Sequence, residues 1–254
     1  MQKIELNFKC FGEGEPVLIF HGLLGMLDNW KSFAMKLSSH YKVYIIDQRD
    51  HGRSPWTEEF NYDVLADDIL AFMDQQELDK ANLIGHSMGG KSVIRFTQKY
   101  PDRIKKSIIV DIGIKKYEAH HNSIFNALRS LDLDSIESRS DADIKLETKI
   151  SDYGIRQFLM KNLTRKPEGG FKWKMNLSLL YDSYDSITEA VDAEKSDKPT
   201  LFVYGTKSTY IRASHFKSIQ SIFPNSTFES LEAGHWVHAE KPNELLTLVL
   251  NFLK

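Results

Sequence analysis

Residues 83–90 read Leu83-Ile84-Gly85-His86-Ser87-Met88-Gly89-Gly90. The pattern is G-x-S-x-G, set between an apolar run, Ala81 to Ile84, and an amphipathic run from Gly89 to Tyr100 that Pro101 closes. This predicts a strand, a tight turn and a helix, with Ser87 on the turn. A serine held there has its hydroxyl thrust outward, and the glycines on either side let neighbouring backbone come close. The Met88 N–H then stands at a helix start, where it can bind a developing negative charge. The plainer reading, a serine that only caps the following helix, does not need the two glycines.

The same strand-and-helix rhythm extends in both directions. Ile4 to Phe11 alternates and is followed by the turn Gly12-Glu13-Gly14-Glu15-Pro16. Val17 to Phe20 is a short apolar run ending at His21-Gly22, and Trp30, Phe33, Ala34 and Leu37 have helical spacing. Val43 to Asp47 is the next strand, Tyr62 to Met73 the next helix, and Ser107 to Ile112 a further strand. After residue 195 the rhythm resumes with Pro199 to Gly205, a helix Phe216 to Ile222, a strand Ser226 to Leu231, a loop at Gly234-His235-Trp236 and a last helix Pro242 to Leu253. Continuous apolar strands separated by amphipathic helices mean an α/β fold with a mostly parallel central sheet covered on both faces. Ligands bind such sheets beyond the C-terminal strand ends, and His21, Asp47, Ser87 and Asp111 all fall at those ends.

Residues 115–195 break the rhythm. They are polar and helix-like with scattered aromatics, and they are expected to form a helical cap inserted into a core made of residues 1–114 and 196–254. Gly169-Gly170 is a plausible flexible point of that cap, and the alternative is a peripheral helical layer without substrate contact. Net charge is −2, too balanced to argue for nucleic acid or an anionic membrane surface. The single cysteine, Cys10, excludes an intrachain disulfide and a cysteine-rich metal site, and it is expected to be a small buried residue. No apolar run is long enough for a membrane span, and Met1-Gln2-Lys3-Ile4-Glu5-Leu6 lacks the apolar core of a secretion signal. A cytoplasmic location is therefore expected, with no metal and no organic cofactor.

Four pieces in order carry a resemblance: His21-Gly22-Leu23-Leu24-Gly25, Asp47-Gln48-Arg49-Asp50-His51-Gly52-Arg53-Ser54, the Gly85–Gly89 elbow, and Ala233-Gly234-His235-Trp236. Along essentially its whole length the chain resembles an α/β-hydrolase. Among the subfamilies it most resembles the YbfF-type bacterial carboxylesterases, through Gly205-Thr206-Lys207-Ser208-Thr209-Tyr210-Ile211 and Phe171-Lys172-Trp173-Lys174-Met175-Asn176.

The resemblance implies a serine hydrolase. Ser87 is the nucleophile, His235 the base that activates it, and His238 a competitor three residues on. The N–H groups of Met88 and Leu23 form the oxyanion hole. A catalytic imidazole needs a carboxylate to hold its tautomer. Most α/β-hydrolases supply it in a G-x-x-D arrangement after the strand at Leu201 to Tyr204, but here that position is Ser208. Asp111, at the end of the strand beside the nucleophile strand, is the acid, as the YbfF-like arrangement implies. Asp182, Asp185, Asp192 and Asp197 are rivals at the cap, and Glu232 is a rival near His235. Asp47, Arg49 and Arg53 read as structural. Lys91, standing where a small residue is usual, is expected to reach solvent or a carboxylate. Trp173, Tyr181, Tyr210 and Trp236 are candidate substrate contacts. The implied substrate is a small-molecule ester or thioester with a short or medium acyl chain. The rivals are another triad reaction (C–C hydrolase, lactonase or a menaquinone-pathway lyase) and a ligand receptor without catalysis.

Overall fold

The computed structural model describes residues 4–191 and 194–254; of the sequence expectations, the reading of residues 1–3 and the rival acid Asp192 lie outside them. The chain opens with β1 (Phe8–Phe11), β2 (Pro16–Phe20), α1 (Lys31–Leu37), β3 (Lys42–Ile46), α2 (Tyr62–Gln75), β4 (Ala81–His86), α3 (Met88–Lys99) and β5 (Ile104–Val110). Then come α4 (Asn122–Arg129), α5 (Arg139–Glu147), α6 (Tyr153–Met160), β6 (Leu163–Arg165), β7 (Phe171–Trp173), α7 (Leu177–Asp182) and α8 (Tyr184–Thr188). The chain closes with β8 (Thr200–Gly205), α9 (Phe216–Ile222), β9 (Ser226–Leu231), α10 (Val237–Glu240) and α11 (Pro242–Leu253).

Seven strands form one sheet in the order β1-β3-β2-β4-β5-β8-β9. Every pair is parallel except β1 with β3, where Phe8 faces Ile46 and Phe11 faces Val43. β1 is the edge, which explains Cys10: it was expected inside, and it is exposed because a strand that pairs on one side only leaves its outer residues to solvent. The central strands are apolar on both faces for the reason anticipated. Successive side chains point to opposite sides of a strand, so Val17, Ile19, Ile84, Ile108, Val110 and Val203 pack with Trp30, Phe33 and Leu37 near α1 and with Leu245 and Val249 of α11. Leu18, Phe20, Leu83, Ile109 and Phe202 face the opposite way and pack with Leu65, Phe72, Val93 and Phe96 of α2 and α3.

Between β5 and β8 the chain is not purely helical. Five short helices are joined by a two-stranded antiparallel hairpin of β6 and β7, in which Leu163 faces Trp173 and Arg165 faces Phe171. Gly169 and Gly170 have positive φ (101° and 76°) and form its turn, with Lys166 N–H donating to Gly170 O at 3.1 Å, so the expected flexible point is a hydrogen-bonded turn. The segment is tied to the loops at the strand ends. Asn162 Nδ2 donates to Leu24 O at 2.7 Å, Asn176 N–H to Asp50 O at 2.8 Å and Trp56 Nε1 to Lys174 O at 3.0 Å.

The elbow follows from close packing. A Cβ on Gly85 would sit 2.2 Å from Gly89 O, and one on Gly89 would sit 2.5 Å from Phe20 O and from His21 O. Only hydrogen fits at either position, so α3 can start directly against the ends of β2 and β4. Ser87 itself adopts φ 52°, ψ −121°, in the left-handed half of the map that a serine rarely enters. Its N–H still completes the sheet ladder by donating to Val110 O at 3.0 Å.

Candidate active site

Three strand ends meet at Ser87. β4 delivers the serine, β5 delivers Asp111, and the loop after β9 delivers His235. Ser87 Oγ lies 3.0 Å from His235 Nε2, and His235 Nδ1 lies 2.7 Å from Asp111 Oδ2. With Nδ1–H donating to the carboxylate, Nε2 is left as the acceptor for the serine hydroxyl. Asp111 is fully buried and has φ 49°. Its other contacts fix it: Oδ1 accepts from Gly205 N–H at 3.0 Å, and Oδ2 also accepts a short bond from the Ser208 hydroxyl. Ser208 thus stands beside the carboxylate that the general pattern would have put in its own place. Tyr210 stacks on the other side of the imidazole, with ring centroids 4.1 Å apart.

A set of neutral histidines holds the surrounding backbone. His21 Nδ1–H donates to Gly22 O at 2.8 Å, and its Nε2 accepts from Gln48 N–H at 3.1 Å. His51 Nδ1–H donates to Arg49 O at 2.9 Å, and its Nε2 accepts from Leu24 N–H at 3.3 Å. Burial pushes His21 down to about 4 and His51 down to about 3, so both are neutral and both nitrogens are free to play these roles at neutral pH. Together they brace residues 21–24, which carry the Leu23 N–H. His86 Nε2–H donates to His235 O at 2.9 Å and so fixes the loop that bears the imidazole, and burial lowers its pKa well below the ordinary value. Among the described residues neither Leu23 N–H nor Met88 N–H donates to a backbone carbonyl. Both are available to an oxygen at Ser87.

Two cavities open from the serine. One is bounded by the 21–25 loop, His235 and Trp236, and by Ile124, Ile155 and Phe158. The other is bounded by Met88, Lys91, Ile112, Tyr117, Tyr184 and Tyr210. Leu23, Ser87 and His121 belong to both. The sequence did not single out His121. Burial lowers its pKa to about 4, and its Nδ1 is 2.8 Å from the Tyr184 hydroxyl. No motif surrounds it, and only the fold brings it opposite the nucleophile.

The other sequence candidates separate clearly. Tyr210 and Trp236 line the cavities. Trp173 does not: it is buried in β7 and borders a different groove, with Arg53, Trp56 and Lys174. Tyr181 does not either, because its ring packs edge-on against Phe125 and under the Arg129 guanidinium, 4.1 Å from the centroid. His238 is in α10, stacked on Trp30 at 4.4 Å; it lines the same cavity as Ser87, but the hydroxyl is met by His235. Glu232 pairs with Lys207 at 3.2 Å. Asp47 accepts from Leu27 N–H and Arg53 N–H, while Arg49 makes a two-pronged, buried ion pair with Asp68 at 2.6 and 2.7 Å. Lys91 reaches neither solvent nor a carboxylate. It is 1% exposed and donates to backbone carbonyls of α8 and the residue after it.

The fold that brings these strand ends together around one serine is shared with known proteins. The chain matches the alpha/beta hydrolase fold family over residues 15–242. It belongs to the alpha/beta hydrolase family. It is 34% identical over 240 residues to the esterase YbfF of Escherichia coli, covering 94% of this chain and 92% of that one. It is 33% identical over 249 residues to an sn-1-specific diacylglycerol lipase of Mus musculus, covering 94% and 81%. A marine microorganism esterase of known structure superposes with a TM-score of 0.96 at 37% identity, over 98% of this chain and 99% of that one. This alpha/beta hydrolase is an enzyme with a serine, not an aspartate, at its elbow. No helix of the described residues is long and apolar enough to cross a membrane.

Proposed function

We propose that the protein is a serine carboxylesterase that cleaves small-molecule esters or thioesters with short or medium acyl chains through an acyl-enzyme. The observation that carries this reading is the unbroken chain from Ser87 Oγ to His235 (3.0 Å) to the buried Asp111 carboxylate (2.7 Å). Ser87 Oγ attacks the ester carbonyl carbon while its proton passes to His235 Nε2. The carbonyl oxygen becomes the oxyanion and is held by the N–H groups of Leu23 and Met88. The imidazolium then protonates the leaving alcohol or thiol as the bond from carbonyl carbon to leaving group breaks. Water, deprotonated by the same nitrogen, attacks the acyl-Ser87 carbonyl, and collapse releases the acid and restores the serine. Asp111 holds the Nδ1–H tautomer and balances the imidazolium charge. Residues 115–195 act as the cap that closes over both cavities, and their apolar lining favours a partly apolar substrate.

The direct test is hydrolysis of p-nitrophenyl esters from acetate to laurate. Wild type should turn over the short and medium chains, and Ser87→Ala should lose about 10⁴-fold or more in kcat. An inactive wild type on every ester and thioester would overturn the reading and direct attention to C–C bonds and lactones.

A further inference from the structure

Lys91 is a charged residue buried beside the nucleophile that none of the steps above uses. It lies on α3 one turn after Ser87, and its N–H donates to Ser87 O at 3.1 Å. Helix side chains lean toward the N-terminus of their helix, so the Lys91 stem runs back toward the serine, and both residues border the cavity lined by Tyr117 and Tyr184. The ammonium meets the C-terminal end of α8. It donates to Thr188 O at 3.1 Å, to Ile187 O at 3.5 Å and, closely, to Glu189 O. The last carbonyls of a helix have no partner within it, and here a cation takes them together with the Tyr62 hydroxyl, 2.7 Å from Ile187 O, and Tyr117 N–H, 2.9 Å from Thr188 O. The rings of Tyr62 and Tyr117 flank the ammonium at 5.5 and 5.1 Å. The Glu189 carboxylate is committed to Lys116 at 2.7 Å.

We propose that Lys91 sets the length of acyl chain that the site accepts, by forming a polar wall of the acyl cavity and fixing that wall to the last cap helix. The inference rests on the esterase reading, which assigns the two cavities. His235 borders the cavity lined by Trp236 and Phe158 and protonates the leaving group, so the alcohol occupies that side and the acyl chain the other. A methyl group advancing along the acyl cavity arrives at an ammonium whose three donors are engaged by three carbonyls. Going further would bury hydrocarbon against a cation and strip it of hydrogen bonds, which is unfavourable. Burial lowers the pKa of Lys91 only to about 8, so the ammonium is present at neutral pH. Lys91 is a specificity residue and takes no part in bond making.

The test is the rate at which p-nitrophenyl alkylphosphonates, methyl to octyl, label Ser87, measured beside ester turnover. The alkyl group of such a probe occupies the acyl side. Wild type should show a rate that falls beyond a short chain. Lys91→Ala should move the cut-off by about two carbons and raise the octyl-to-ethyl ratio by about fifteenfold, since each newly buried methylene is worth roughly fourfold. Lys91→Met, which keeps the bulk and removes the charge, should raise the ratio less, and it decides the matter if the alanine variant does not fold. An unchanged ratio in a folded variant that still turns over esters overturns the role of Lys91 and leaves the esterase reading intact. Chain-length-dependent labelling that responds to Lys91, in a wild type that turns over no ester, does the reverse. A wild type that no phosphonate labels overturns both.

Discussion

At the scale of single residues, Asp111 is where this site departs from the general α/β-hydrolase pattern. Its fully buried carboxylate accepts from three donors, Gly205 N–H, the Ser208 hydroxyl and His235 Nδ1–H. Removing the charge and removing the hydroxyl should therefore have very different effects. Asp111→Asn presents an amide that can donate to Nδ1 and invert the tautomer, and kcat should fall by about 10⁴. Ser208→Ala deletes one neutral donor and should lower kcat/KM by only about two- to tenfold, the range of a single net hydrogen bond. Steady-state kinetics on one p-nitrophenyl ester compares them, and equal losses would show that Ser208 carries as much of the function as Asp111. Ser87 could be singled out in the sequence from its glycine-framed motif, whereas His235 and Asp111 were singled out through the family resemblance, and the structure brings the three within hydrogen-bond distance. Lys91 and His121 were not legible in the same way. Their surroundings are supplied by residues far along the chain, Thr188 and Tyr184 among them, and residue type carries no record of such partners. Trp173 and Tyr181 show the converse: an aromatic in a cap segment is as readily a core residue as a substrate contact.

At the scale of elements, the fit between β8 and the loop after β9 decides where His235 stands. A Cβ on Gly205 would lie 2.3 Å from Gly234 O and 2.4 Å from Ala233 O, both backbone atoms that cannot swing away. Gly205→Ala must push the histidine loop outward, and it must also disturb the Gly205 N–H that holds Asp111. Displacements of about 1 Å cost roughly 10²-fold in rate, so kcat should drop by that order while far-UV circular dichroism stays that of the wild type. Wild-type activity in the variant would show that the loop is not tightly placed. The elements themselves were mostly legible, and α9, β9 and α11 have the predicted limits. The hairpin of β6 and β7 was not, because three-residue strands are too short for alternation to show and their partner register comes only from the turn at Gly169-Gly170. The exposure of Cys10 escaped the reading for a related reason, since alternation identifies a strand but not whether it lies at an edge.

At the scale of the whole molecule, the buried neutral histidines couple the active-site loops to the stability of the fold. His21 and His51 have native pKa values of about 4 and about 3, against 6.5 for an unconstrained imidazole. Below pH 6.5 the unfolded chain binds protons that the native chain refuses, so the native state loses ground as pH falls. The stability these groups confer is fully present above pH 6.5 and is lost progressively down to their native values, at roughly 1.4 kcal/mol per pH unit for each group. The urea midpoint should therefore be level between pH 8 and 7 and fall steeply from pH 6.5 to 4.5. Carboxylates held low in the native state act in the same direction only at lower pH, so the upper part of the decline belongs to the histidines. His51→Gln tests this attribution, because its amide can replace both hydrogen bonds, to Arg49 O and from Leu24 N–H, without titrating. It should flatten the slope between pH 6.5 and 4.5 by one histidine's share, and an unchanged slope would show that His51 is not among the groups that titrate on unfolding. The histidines that brace residues 21–24 beside Ser87 at neutral pH are then also those that make the protein acid-labile.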